Sequence, residues 1–486
     1  MSRCQDIEKG FTDPAVGRRA RAFRPHDALE GETVNAPARW LAGGGAALVL
    51  TIAACGTPGS SSEDDGPARV EGEEITAPVT ADEVAELGDV TLRVLADAGE
   101  ESTLTELIPE YEELYPNVTV EVEYRSYDDI VRTEANTLSG GDPPDLAQGA
   151  QGYALDGALV EAGLIRPLDD LAEAYEWFDR YGESTLGEFR WSDDGTRFGT
   201  GSIYGISPVV SMVGVYYNKA KLDALGLELP HTFADFEAAL ATAQAAGEQP
   251  IMFGNALKST GLHIFGVVQG QNVDPAVTRD WISGTDGATF DTPENVATAT
   301  TIQEWAQQGY FGEGYNGLAE DDAVARFAAG EGVFLIGGTW QMAAIQAGGG
   351  DFGFFPMPPG ESGLHVASGS LGMGWHVSTE SEVVPAAAAF IGLITSDEWA
   401  QKLADLGRVP VLAQQIDASE PLFADAVAGS GTILADGGNT YSFDWATGTM
   451  MASMGGALQE LMDGRLTPQE FVTPIQDDWA AFQAER

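Results

Sequence analysis

Trp340, Trp375 and Trp445 each stand beside glycines or small polar residues near the predicted end of an element, where an indole can present its face instead of packing it. In AAGEGVFLIGGTW (328–340), a run of branched and aromatic residues reads as a strand ending in Gly337-Gly338, a pair that lets the chain turn and project Trp340 from a loop. Acids and amides fill the loops after other predicted strands: Asp97, Glu100 and Glu101 after VTLRVL, and Gln148, Gln151 and Tyr153 after PPDL. Asp97, Glu101, Gln151 and Tyr153 are candidate contacts, because open α/β sheets receive ligands at the carboxyl ends of their strands. Flat apolar rings beside donors and acceptors of fixed geometry suit a molecule with one apolar face and an edge of hydroxyls, which is the chemistry of a pyranose.

Each of these residues also has a plainer reading. Trp177, Trp191, Trp305 and Trp399 lie in helical or amphipathic surroundings and are expected in packing, and Trp375 in GMGWHVS is balanced between closing a core and facing a cleft. With 75 acidic side chains in the chain, a solvated carboxylate is the default for any one of them. In GDPPD, two prolines stiffen a loop whose Asp142 and Asp145 are read first as structural. No G-x-S-x-G, H-E-x-x-H, Walker A or C-x-x-C motif occurs, and the histidines beyond Cys55 have no metal-ligand spacing, so no catalytic site, metal or cofactor is expected. GGGDFG (348–353) matches G-x-G-x-x-G in form, but it follows a helix and precedes a strand, the reverse of dinucleotide binding.

The elements that must position these residues alternate. VTLRVL (90–95) reads as a strand, and Leu104, Leu107, Ile108, Tyr111 and Leu114 then recur at helical spacing. VTVEVEY alternates as a second strand before an amphipathic stretch over 128–138. Further along, 213–217 and 332–336 read as strands, FGFFPMPPG (352–360) is strand-like and ends in a proline-rich loop, and 233–246, 321–329, 385–406 and 450–463 read as helices. The order predicts an α/β fold with helices on both faces of open sheets.

The 486 residues suffice for two lobes, and 24 basic against 75 acidic side chains give −51 at pH 7, a field that repels phosphate backbones and excludes nucleic acid as a partner. LAGGGAALVLTIAA (41–54) follows Arg39 and is apolar but too short to span a bilayer, the pattern of a secretory signal. Ile52-Ala53-Ala54-Cys55 resembles the bacterial lipobox, which makes Cys55 the expected site of lipidation, followed by a polar tether over 56–87. Residues 1–33 make too long a lead for a signal; a start at Val34 supplies a short basic one, so 1–55 is read as a dispensable extension plus lipoprotein signal peptide.

Beyond the anchor, ordered segments resemble the extracellular solute-binding proteins of ABC importers, in the carbohydrate-binding group that includes maltose-binding protein. They are SGGDPPDL (139–146), YGISPVVSMVGVYYNKAKLDALGL (204–227), LPHTFADFEAAL (229–240), AAGEGVFLIGGTW (328–340), FPMPPG (355–360), SGSLGMGWHVS (368–378), FIGLITSDEWAQKLADLGRVPV (390–411) and LMDGRLTPQEF (461–471). The resemblance implies a two-lobe type II-like binding-protein fold with a hinge, one lobe over 88–207 and 361–408 and the other over 210–355 and 412–486. It implies a monomer outside the cell, lipid-anchored to the membrane, that captures a mono- or oligosaccharide and passes it to an ABC permease without turning it over. It adds Ser211 to the expected contacts, favours Trp340 as the ring that stacks on the sugar, and brings Trp445 into the region of a late stacking aromatic. A secreted glycoside hydrolase is the rival class, since it too combines cleft aromatics with carboxylates, and a binder of a non-sugar solute is a third reading.

Overall fold

A computed structural model describes residues 74–486 apart from Ser370 and 413–415. Cys55, the signal segment and most of the expected tether therefore lie outside the described residues. The tether's expected end does not stay free: from Ile75 the chain packs on the first core, with Asp170 accepting from the Ile75 amide and the Tyr175 hydroxyl from that of Val79. A short helix, Ala81–Ala85, follows under a Thr80–Glu83 capping box and buries Val84. Ile75, Val79 and Val84 give this stretch apolar anchors that a purely polar tether would lack.

Two four-stranded sheets carry the rest. In the first, Val90–Asp97 lies parallel to Val118–Arg125 on one side and to Leu146–Gly149 on the other, and Gly374–Val377 adds an antiparallel edge. Leu92, Val94 and Ala96 alternate into the core, where Leu104, Leu107 and Tyr111 of the helix Glu101–Leu114 meet them. The other edge, Val118–Arg125, alternates apolar with charged residues, and Glu121 and Glu123 keep it from pairing further. In the second sheet the order is Ile251–Met252, Phe334–Gly338, Val213–Asn218, Phe352–Phe355, with the central strand antiparallel to both neighbours. Its strands are buried on both faces, which is why they read as continuous apolar runs.

Three segments run side by side between the sheets: Ile206 pairs with Trp375, Val210 with Leu371, and Val209 with Pro410. The return crossing thus comes at about Gly369 to Gly374, later than the sequence reading near residue 361, because Ala367–Ser368 still pairs with Asn439–Thr440 and Ala367 packs in a core that includes Met212 and Tyr216.

Candidate functional site

Where the strand Phe334–Gly338 ends, the chain is tied to the first crossing. The Thr339 hydroxyl donates to the Val210 carbonyl at 2.9 Å, and the Thr339 amide donates to the Met212 carbonyl at 3.0 Å. These bonds anchor the residue before Trp340 to the first crossing and leave Trp340 41% exposed. Gly337 and Gly338 do not turn the chain, as the sequence suggested. Both belong to the strand, and they serve close approach: a Cβ at Gly338 would lie 2.0 Å from the Trp340 ring, and one at Gly337 the same distance from Gln341 Oε1.

Two unforeseen residues complete this ledge. His263, one turn into the helix Ser259–Gln269, sets its ring 5.4 Å from that of Trp340 at 65°, an edge contact. Burial pushes its pKa down to about 4, against a smaller upward pull from Asp444, so the imidazole is neutral at physiological pH; its Nδ1 has no hydrogen-bond partner. Asp444 sits on the 3₁₀ turn Phe443–Ala446, accepts from the Ser442 hydroxyl, and has its pKa raised by burial. His263 and Asp444 both retain partial solvent access. The ledge closes below, where Gly266 of the same helix packs on Ser368, and Gly369, at φ +94, brings its Cα close to the Ser211 carbonyl. Asp444 is next in sequence to Trp445, which was singled out. In the sequence His263 is only a histidine without metal-ligand spacing, although its helix follows the strand Ile251–Met252, whose carboxyl end points the same way as that of Phe334–Gly338.

At the first sheet, Asp97 caps its own turn by accepting from the Gly99 amide at 2.8 Å, while its amide donates to Gln148 Oε1. Burial raises the Asp97 pKa; Glu100 adds to the rise and Arg408 opposes it. Glu100 is buried in an ion pair with Arg408, the residue before Val409 in the third crossing. Glu101 is exposed on the first turn of its helix and takes no part in that group. Gln151 is buried, donating to the Gly372 carbonyl at 2.9 Å.

Tyr153, Trp375 and Trp445 do not present their rings. Trp375, at 1% exposure, lies in the first core against Phe390, because its strand pairs with both Leu146–Gly149 and Ile206. Trp445 is 6% exposed: its carbonyl accepts from the Tyr153 amide at 3.1 Å, and its backbone comes so near Gly152 that a Cβ there would lie 2.6 Å away. Tyr153 packs on Trp191 and Phe482 and donates to the Ser283 carbonyl at 2.9 Å, with the Arg486 guanidinium 4.7 Å above its ring. Trp177, Trp191, Trp305 and Trp399 are core residues as expected. Asp145 is structural: it accepts from the Arg93 amide and the Ser381 hydroxyl.

Beneath the Gly149–Tyr153 loop lie two buried carboxyls, Glu134 against Gly149 and Asp156 accepting from the Gly152 amide at 2.8 Å. Burial pushes both up to about 8, and the charge of Asp156 raises Glu134 further. Two cavities, of about 260 and 500 Å³, lie away from the ledge around Asn272, Asp274 and Glu294. Among the described residues, no group of three His, Cys, Asp or Glu could hold a metal, and no helix is long and apolar enough to cross a membrane.

The model of the bacterial extracellular solute-binding protein family matches residues 97–401, and the chain belongs to that family. Its fold is the two-lobe α/β binding-protein fold. It is similar to a chitin oligosaccharide binding protein, with a TM-score of 0.71 and 21% identity over 82% of this chain and 99% of that one. It is also similar to the GacH receptor of Streptomyces glaucescens, solved unliganded and with acarbose, with a TM-score of 0.63 and 18% identity over 82% and 99% of the two chains. A multiple sugar-binding protein of Streptococcus mutans is 23% identical over 234 residues, 45% of this chain. That match spans about half of the relative's own length, 54%.

Proposed function

We propose that this chain captures a mono- or oligosaccharide between its lobes and delivers it unchanged to an ABC permease. The observation that carries the reading is the Trp340 ledge, a large aromatic ring held exposed at a strand end next to the first crossing segment, with polar groups at its edge. The named relatives bind sugars, which supports the same class of ligand. The lobes comprise about 88–207 with 369–408 and 210–368 with 412–486, and Asp97 and Ser211 face the ligand from either side. Outside the described residues, Cys55 carries the lipid that holds a monomer at the outer face of the cell membrane.

A thermal-shift screen over mono- and oligosaccharides tests the ligand class, since a ligand that binds only the folded state raises Tm by mass action. At least one neutral saccharide should raise it; a rise with amines or metal chelates alone would overturn the proposal, as would release of reducing ends from the oligosaccharides. Cys55→Ser should move the protein from the membrane fraction to the soluble one, and full retention in the membrane would refute the anchor.

A further inference from the structure

We infer that Asp444 and His263 form the polar edge of a sugar subsite whose platform is Trp340, and that this subsite takes an uncharged pyranose ring. The inference rests on the reading that Trp340 faces the ligand. Three elements distant in sequence converge here: the strand Phe334–Gly338, the helix Ser259–Gln269 and the 3₁₀ turn Phe443–Ala446. The edge of the His263 ring meets the indole, so the imidazole fixes the tilt of the platform and is a positioning residue. Its Nδ1 is buried without a partner in the protein, so the ring meets a sugar hydroxyl only through Nε2, which a neutral imidazole presents as either donor or acceptor. Asp444 takes a hydrogen bond from Ser442 on Oδ1, which leaves Oδ2 as an acceptor. The turn that carries Asp444 packs on the His263 helix, with the Phe443 and Phe265 rings 5.3 Å apart, and a partly exposed carboxylate there is suited to accept from hydroxyls of a ring lying on the ledge. It also repels a ring bearing a carboxylate of its own, within a chain already at −51.

Calorimetry on the full chain with D-glucose, D-galactose, raffinose and chitotriose, together with D-glucuronate and D-galacturonate, tests the inference. The parent should bind at least one neutral member and neither uronate. Asp444→Asn should weaken that binding about tenfold or more, the scale of losing a charge-assisted hydrogen bond, at an unchanged denaturant midpoint. His263→Ala should shift the Trp340 contribution to fluorescence, taken as the difference from Trp340→Phe, and His263→Phe should restore it by keeping the edge contact. Unaltered affinity in Asp444→Asn, or a uronate bound as tightly as its neutral parent, would overturn the inference while leaving the Trp340 reading in place. Loss of affinity in neither Trp340→Phe nor Asp444→Asn, or no binding of any neutral member, would instead overturn the reading on which it rests.

Discussion

At the carboxyl end of Phe334–Gly338 the chain leaves Trp340 41% exposed, whereas just past the end of Leu146–Gly149 it buries Gln151 to 2% and Tyr153 to 5%. Both loops obey the same rule of sheet topology, and both contain residues suited to a polyol. They differ in what completes them. The Trp340 turn is braced beneath the ring by Gly338, through Thr339 by the first crossing segment, and at one edge by His263, and these contacts leave the residue 41% exposed. The Gly149–Tyr153 loop is completed from outside, by the Trp445 backbone on Gly152 and by Phe482 and Arg486 on Tyr153. Distant segments hold both loops, but at Trp340 they grip the backbone and one edge of the ring, whereas at Gly152 and Tyr153 they cover the loop itself, which then works as a joint.

The harshest way to break that contrast is Gly152→Ala. Gly152 sits at φ +111, and a Cβ would lie 2.6 Å from both Cα and Cβ of Trp445, atoms that no rotamer change moves, so the substitution adds conformational strain to a clash. A stability loss of about 2–4 kcal/mol is expected, read as a lower denaturant midpoint. A midpoint within experimental error of the parent would show that the joint is not held through this contact.

The strand and helix order was legible because the sheets are built from strong signals: branched runs for buried strands and helical spacing such as Leu104, Leu107 and Tyr111. The ledge was half legible. Trp340 stands out beside small residues, but the same local signal surrounds Trp375 and Trp445, and only tertiary packing separates one exposed indole from two buried ones. His263 and Asp444 carry no local signal at all, since a histidine inside an apolar helix reads as core and an aspartate in so acidic a chain reads as solvated. The late return crossing was hidden for a related reason: the two-residue pairing of Ala367–Ser368 is too short for any periodicity.

Trp340→Ala sharpens the comparison from the open side. Removing a large, half-exposed ring should weaken saccharide binding by about 1–3 kcal/mol while the denaturant midpoint barely moves. A drop in midpoint of the size expected for a core tryptophan, about 3–5 kcal/mol, with affinity intact would reverse the assignment and make the ledge a piece of packing.

The smallest effect probes what lies under the joint. Glu134 and Asp156 have folded-state pKa values of about 8, raised mainly by burial, against an unfolded carboxylate value of about 4. Between those values the folded chain holds protons that the unfolded chain has released. The stabilising contribution is therefore full below about pH 4 and is lost as pH rises through about 8. His263 bounds the acid side in the opposite sense. Its folded value is down at about 4, so stability is lost as pH falls from the ordinary imidazole value toward that level. Glu134→Gln keeps the shape of the side chain beside Gly149 but cannot ionise, and it removes the repulsion with Asp156. The fall in unfolding free energy between roughly pH 6 and 9 should then shrink by on the order of 1 kcal/mol, while saccharide affinity at pH 7 stays near that of the parent. Equal pH slopes in the two proteins would mean that Arg125, which opposes the rise, already holds the Glu134 carboxylate ionised in the fold, and the alkaline weakness of the joint would then rest on Asp156 alone.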